Sequence, residues 1–439
     1  MEQALHYQDP YQQLSSTDID TKQELFNQVL NMLDPSILET IEQDVARQQI
    51  TECCRRLLDA YPRPINMATR QIIIKLVLDE ILGLGPLEVL MADTGVSDIL
   101  VNSYNNIYVE RGGKLERAAV RFYDNRHLMS IIDRIVSRVG RRVDESSPMV
   151  DARLADGSRV NAIIPPLALD GPSMSIRRFT VEKLTVAQLI NYGSMTEAMD
   201  VLIRGAVQGK LNILISGGTG SGKTTLLNIL SGYIPADERI ITIEDSAELQ
   251  LQQPHTVRLE TRPPNIEGRG EVTQRDLVKN SLRMRPDRIV IGEVRGAEAI
   301  DMLSAMNTGH EGSLATLHAN SPRDALARLE NMICMGGFDM PVRNIRAQIA
   351  SAIDVVIQTQ RLEDGSRRII SIQEITGMEG EVITMSELFT YERNGFTDQN
   401  KVNGSFRATG VVPLFHRQLT AKGISMPHSI FGVDAEIRF

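Results

Sequence analysis

An α/β fold in two parts, with a helical leader ahead of them, is what the sequence predicts. After residue 195, short apolar runs that read as buried strands alternate with amphipathic helical patterns. Between residues 71 and 178, one strongly periodic helix lies among brief strands bounded by turn residues. Before residue 70 the chain is polar and acidic, with 11 Asp and Glu side chains through Asp59 and only a weak helical period.

The leader, residues 1–70, reads as a flexible acidic stretch followed by helices. A helical run from Ile72 to Leu82 opens the next domain, which closes near Arg178. Ile99-Leu100-Val101 and Ile107-Tyr108-Val109, with turn residues at Asn105-Asn106 and Gly112-Gly113, predict a β-meander. Leu128, Ile131, Ile132, Ile135, Val136 and Val139 recur at three and four residues, so a helix spans them, capped by Asp124 and ended by Gly140. Asp156-Gly157, Pro165-Pro166 and Gly171-Pro172 separate further strands up to Ser175-Ile176-Arg177.

Residues 179–195 read as a hinge linker, and 196–439 as a second domain. Helix 196–208, strand 211–216, helix 224–231, strand 239–244, helix 276–284, strand 288–292 and helix 297–307 follow in order. Ile213-Leu214-Ile215 and Ile289-Val290-Ile291 lack two-residue alternation, as strands covered on both faces do. Val355 to Leu362 and Arg368 to Ile375 flank Asp364-Gly365 and predict an appended hairpin. The last fifty residues read as a loop-rich tail.

Composition narrows the function classes. Lys+Arg 47 against Asp+Glu 56 leaves a formal charge of -9, which opposes a whole-molecule grip on nucleic acid. With no Trp and 4% aromatic residues, base-stacking platforms are scarce. Cys53, Cys54 and Cys334 form neither a disulfide framework nor a CxxC pair, and a reducing compartment suits them. The stretch Ile72 to Met91 is broken by Lys75, Asp79, Glu80 and Glu88, so it does not supply the roughly 20 apolar residues of a membrane span. Membrane contact is expected only through a partner.

Chemistry concentrates in three places. Gly217-Gly218-Thr219-Gly220-Ser221-Gly222-Lys223-Thr224 matches GxxxxGK[ST] between an apolar strand and a helix. Glycines let successive amides converge on phosphates, Lys223 would reach the β- and γ-phosphates, and the Thr224 hydroxyl would face Mg²⁺. Glu293 ends the strand RIVIGE, where Gly292 stands in the place that many such ATPases give an aspartate. Glu244-Asp245 and Glu248 end another strand, and carboxylates at strand ends face the crevice of an open sheet; Glu248 reads equally as a solvated helix-start residue. His310 and His318 lie in a glycine-punctuated stretch with Thr316 and Asn320. Either imidazole is a structural residue or a donor to a γ-phosphate.

GGTGSGKTT, TIEDSAELQL, LRMRPDRIVIGEVRGAEA and TGHEGSLATLHANS, in that order, resemble the secretion-system and pilus-assembly ATPase superfamily. GLGPLEVLMADTGVSDILVNSYNNIYVERGGKL, DARLADGSRVNAIIPPLALDGPSMSIRRF and PPNIEGRGEVTQRDLVKNSLRMRPDRI narrow the resemblance to the CpaF-like (TadA-type) ATPase of tight-adherence pili. The resemblance implies a RecA-like ATPase core, a smaller N-terminal α/β domain and a homohexameric ring. Gly217 to Thr225 would be the Walker A loop, Glu244 to Glu248 the Asp box, Glu293 the Walker B glutamate and His310 to His318 the His box. Family arginines that reach over the nucleotide correspond to Arg159 and Arg177, with Arg178 the rival to Arg177. The site expected is therefore catalytic Glu293, Glu244, Lys223 and His318, and ATP bound by Gly217, Gly218, Thr219, Gly220, Ser221, Gly222, Lys223, Thr224, Thr225, Arg159, Arg177 and His310. Mg²⁺ is expected near Thr224 and Glu293, through water.

The expected activity is ATP hydrolysis driving a cytoplasmic motor at the inner membrane, loaded by a pilus platform protein, with ATP clamping two lobes that hydrolysis releases. A type II or type IV secretion ATPase is the near alternative. A nucleic-acid translocase and a scaffold that binds ATP without turnover are the readings from other classes.

Overall fold

In a computed structural model, the structure describes residues 14–32, 42–178, 184–264, 268–398, 400–432 and 437–438. Contacts divide the chain into two units, residues 1–181 and 182–439. Each has its own core.

The first unit begins with helices. α1 (Ser16–Met32), α2 (Gln43–Asp59) and α3 (Met67–Leu82) pack around Leu25, Val29, Ile50, Leu58, Ile73 and Val77. The helices expected to follow the flexible acidic stretch begin at Ser16, and residues 1–13 lie outside the described ones. One buried ion pair ties α1 down: Lys22 Nζ on α1 donates to Glu80 Oε1 on α3 at 2.6 Å and to the Tyr123 hydroxyl, while His127 Nε2 meets Glu80 Oε2 at 2.7 Å. Burial works to raise the Glu80 carboxyl pKa, but the His127 contact and the Lys22 charge outweigh it and hold it below its usual value.

After α4 (Glu88–Ala92) the chain lays down β1 (Val96–Ser103), β2 (Asn106–Arg111) and β3 (Lys114–Arg117) as a meander, with Gly112 and Gly113 both at positive φ in the second turn. α5 (Asn125–Arg138) follows; Asp124 accepts the His127 N–H at 2.8 Å, and Gly140 lies at φ +68 just beyond. β4 (Met149–Arg153), β5 (Arg159–Ile163) and β6 (Ser173–Arg177) complete a wholly antiparallel sheet in the order β3-β2-β1-β6-β5-β4. α5 covers it with Leu128, Ile131, Ile132, Ile135 and Val136, each worth about 1.5–3 kcal/mol on burial.

Residues 179–183 of the expected hinge lie outside the described residues, and the rest of it, in the second unit, carries the short helix α6 (Val186–Asn191), opened by a Thr185–Gln188 capping box. α7 (Glu197–Gln208) leads to β7 (Ile213–Gly217), α8 (Lys223–Ser231), β8 (Ile240–Glu244) and β9 (Thr256–Glu260). Next come α9 (Gln274–Ser281), β10 (Arg288–Val294), α10 (Glu298–Asn307) and β11 (Leu314–His318). α11 (Pro322–Met335), α12 (Val342–Ala352), β12 (Val355–Arg361) and β13 (Arg367–Glu379) follow. The ten-stranded sheet runs β16-β15-β14-β13-β12-β7-β11-β10-β8-β9, parallel from β12 to β9 and antiparallel beyond. Two hydrophobic clusters cover its two faces, which is why β7 and β10 read as continuous apolar runs.

The loop-rich tail is a correction. β14 (Val382–Phe396), β15 (Val402–Ala408) and β16 (Ile437–Arg438) extend the sheet, and the helix α13 (Phe415–Ala421) lies between the last two in sequence. Bulges between Ile372 and Gln373, Ile375 and Gly377, and Arg393 and Gly395 break the two-residue alternation that would have announced them. Among the described residues no helix is long and apolar enough to cross a membrane.

Replacing Lys22 by Met removes one partner of the buried pair, so K22M is expected to destabilise the helical bundle by about 3 kcal/mol or more in denaturant titration. The K22M/E80M double variant is expected to recover most of that loss.

Candidate phosphate-binding site

β7 is buried along its length and ends at Gly217, where a Cβ would collide with the hydroxyls of Ser221 and Thr359 and the Thr359 carbonyl. Only glycine fits. Gly220 and Gly222 take φ values of +68 and +95, a region that side chains disfavour, and they turn the loop back on itself. Gly222 also opens α8 without a capping side chain, leaving the first-turn amides directed into the loop. Lys223 Nζ arches over the loop, donating to the carbonyls of Gly217 and Gly218 at 3.0 and 2.9 Å. Burial lowers its pKa, and the Glu293 charge works against that. Thr224 and Thr225 lie half-buried in the first turn of α8, and Thr219 is exposed on the loop.

The parallel ladder sets the carboxylates beside this loop. His318, the last residue of β11, pairs in register with Gly217. β8 pairs with β10 through Ile243 and Ile291, so Glu244 and Gly292 follow side by side. A Cβ at 292 would stand 2.9 Å from Glu244 Cγ. Gly292 thus leaves the Glu244 side chain the space that a Cβ would take. Glu244 is 3% exposed; its Oε1 accepts the amides of Glu248 and Leu249 at 2.8 and 2.9 Å, while Oε2 is buried without a hydrogen-bond partner. Burial pushes its pKa up, the two amides opposing.

β10 bulges against β11 between Ile291 and Val294, and the bulge re-aims Glu293. Thr316 Oγ1 holds the Gly292 carbonyl at 2.5 Å and Gln274 Nε2 the Glu293 carbonyl at 2.8 Å. Glu293 Oε2 takes a hydrogen bond from Arg295 Nη2 at 2.7 Å, and Arg295 Nη1 reaches Asp245 Oδ2 at 3.1 Å. Arg295, Gln274 and Thr359 are the residues that sequence reading missed here. Arg295 had a signal: it lies two residues past Glu293, where an extended chain returns a side chain to the same side.

The structure does not bring His310 to the loop. It precedes β11, whose four-residue rise of roughly 13 Å separates the two ends of the sheet. There its carbonyl accepts the Ser313 hydroxyl at 2.8 Å, beside fully buried Arg288, which holds Glu238 Oε2 at 2.5 Å and the Gly312 carbonyl at 3.1 Å. In the first unit, Arg159 and Arg177 face each other across β5 and β6, and exposed Arg177 contacts Asp98 at 3.3 Å. Arg178 instead gives its guanidinium to the main-chain carbonyls of Asp93 and Val96, a clamp on the turn before β1. That separates it from Arg177.

A triphosphate with a divalent cation fits the second unit's residues: converging amides, an ammonium parked on carbonyls, a hydroxyl at Thr224 and a buried unpaired carboxylate oxygen on Glu244. The family model for type II/IV secretion system proteins matches residues 80–411. The chain belongs to that family. Among its relatives, a Mycobacterium tuberculosis protein assigned by name to conjugal transfer is 40% identical over 315 residues, covering 70% of this chain and 89% of that protein. The type IV secretion system protein VirB11 of Bartonella henselae is 33% identical over 322 residues, 64% of this chain and 88% of its own. The VirB11 ATPase structure from Brucella suis, solved with sulphate, is 30% identical and covers 66% of this chain and 96% of its own, with a TM-score of 0.36. The mixed α/β fold predicted from sequence is the fold observed.

G292A is expected to cost about 1–3 kcal/mol by crowding Glu244. In a double-mutant cycle read by denaturant unfolding, E244A is expected to relieve that cost, giving a coupling of at least about 0.5 kcal/mol.

Proposed function

We propose that this secretion-family chain binds ATP with Mg²⁺ in the loop between β7 and α8 and hydrolyses it to drive a secretion or pilus motor. The observation that carries the reading is the convergence of Lys223, Glu293 and Glu244 at one rim of the sheet, next to a glycine loop whose helix opens without a capping side chain. The Thr224 hydroxyl and, through water, Glu293 would hold the cation, which would supply neutralisation of phosphate charge. Lys223 leaves the Gly217 and Gly218 carbonyls for a phosphate oxygen. Thr224 turns its hydroxyl toward the cation. Glu293, released from Arg295, orients the attacking water and accepts its proton, and His318 donates to the terminal phosphate. Glu244 holds the 245–249 segment in place through two amides and keeps one oxygen for a water.

Arg159 and Arg177 are proposed to contact phosphate, as the family resemblance implies, and the ring is proposed to be a homohexamer closed by head-to-tail contacts. Within the family, the motif resemblance supports a tight-adherence pilus motor working on an inner-membrane platform protein from the cytoplasmic side. The names of the relatives support the second reading, a type IV secretion or conjugal-transfer ATPase.

K223A is expected to weaken ATP binding at least tenfold in calorimetry, and E293Q to bind ATP normally while turnover falls on the order of 10²-fold or more. E293Q with wild-type phosphate release would remove Glu293 from the reaction, and wild-type protein that binds ATP and releases no phosphate would leave only a nucleotide-gated scaffold. Stimulation by cytosolic segments of a platform protein is expected; stimulation by single-stranded DNA alone would move the load to nucleic acid.

A further inference from the structure

The loop strand has a second neighbour. In the order β12-β7-β11-β10-β8, Glu293, Glu244 and His318 all lie to one side of β7, and β12 lies on the other. A phosphate chain seated on Lys223 with its terminal group toward Glu293 therefore directs its nucleoside end toward β12. Two arginines stand there. Arg361 ends β12, Arg367 opens β13, and they are partners across the ladder. Arg367 Nε donates to the Gly220 carbonyl at 2.9 Å, and its Cδ lies 3.4 Å from where a Cβ of Gly222 would be. Arg361 Nη1 lies 3.7 Å from the corresponding point at Gly220. Both side chains are exposed.

The hairpin that presents them is firmly held. Thr359 shares a hydrogen bond with Ser221 at 3.0 Å, Leu362 is buried in the core and donates its partner Ser366 O a 2.8 Å bond, and Asp364 takes the Ser366 and Val402 amides, each at 2.9 Å. Arg367 commits its Nε edge to the Gly220 carbonyl, and a guanidinium plane held beside the loop is a surface that stacks on aromatic rings.

We propose that Arg361 and Arg367 form the nucleoside wall of the site, their guanidinium planes lying against the base of the bound nucleotide. The assignment rests on the nucleotide reading above and adds residues outside the loop motif. The test is calorimetric titration of the full-length protein, its R361A, R367A and R367K variants, with ADP and separately with inorganic pyrophosphate. Each variant is expected to bind ADP about tenfold more weakly, R367K nearly as badly as R367A, since an ammonium keeps the charge and loses the plane. Pyrophosphate affinity is expected to stay within about twofold of wild type.

Unchanged ADP affinity overturns the assignment. So does an equal loss for ADP and pyrophosphate, or full retention in R367K, since either makes the arginines charge partners of phosphate. Wild-type protein that binds neither ligand overturns the nucleotide reading itself. Melting of each variant without ligand, expected at the wild-type temperature, separates a lost contact from a lost fold.

Discussion

The second unit depends on a space one methyl group wide. At Gly217 the Ser221 hydroxyl, the Thr359 hydroxyl and the Thr359 carbonyl occupy the volume that any side chain would need. That contact fixes the start of the loop against β12, and the left-handed glycines at 220 and 222 carry the turn from there to Lys223. Gly292 repeats the device two strands away, giving up a side chain so that Glu244 can lie across β10. Close approach of strand ends, obtained by removing Cβ atoms, is what brings Lys223, Glu244 and Glu293 to one rim.

Those charges are already partnered within the protein. Lys223 rests on two carbonyls, Glu293 on Arg295, and Glu244 Oε1 on two amides. The Arg295 pairs are half-exposed, with Arg295 at 57%, and such contacts contribute little, about 0–1 kcal/mol. Exchanging them for ligand contacts is therefore cheap. The buried Glu244 arrangement is not, and it stays as framework while Lys223 and Glu293 change partners.

Sequence made the loop, the strand-end carboxylates and most elements from 197 to 307 legible, because buried parallel strands are continuous apolar runs and the phosphate motif sits in a short contiguous stretch. Asp124 as a cap and Gly140 as a helix end were equally local. What escaped depends on pairing between distant segments. Thr359 matters through register with Gly217, the β10 bulge through register with β11, and Arg367 through Gly220, 147 residues away. His310 stands apart from the loop for the converse reason: eight residues look close in sequence, yet a strand between them carries the chain across the sheet.

The antiparallel strands β13, β14 and β15 are hydrogen-bonded in series to β12, and β12 to the loop strand. A sheet is stiff along its ladder. The Thr359–Ser221 hydrogen bond is therefore the seam at which this run of carboxy-terminal strands meets the glycine loop.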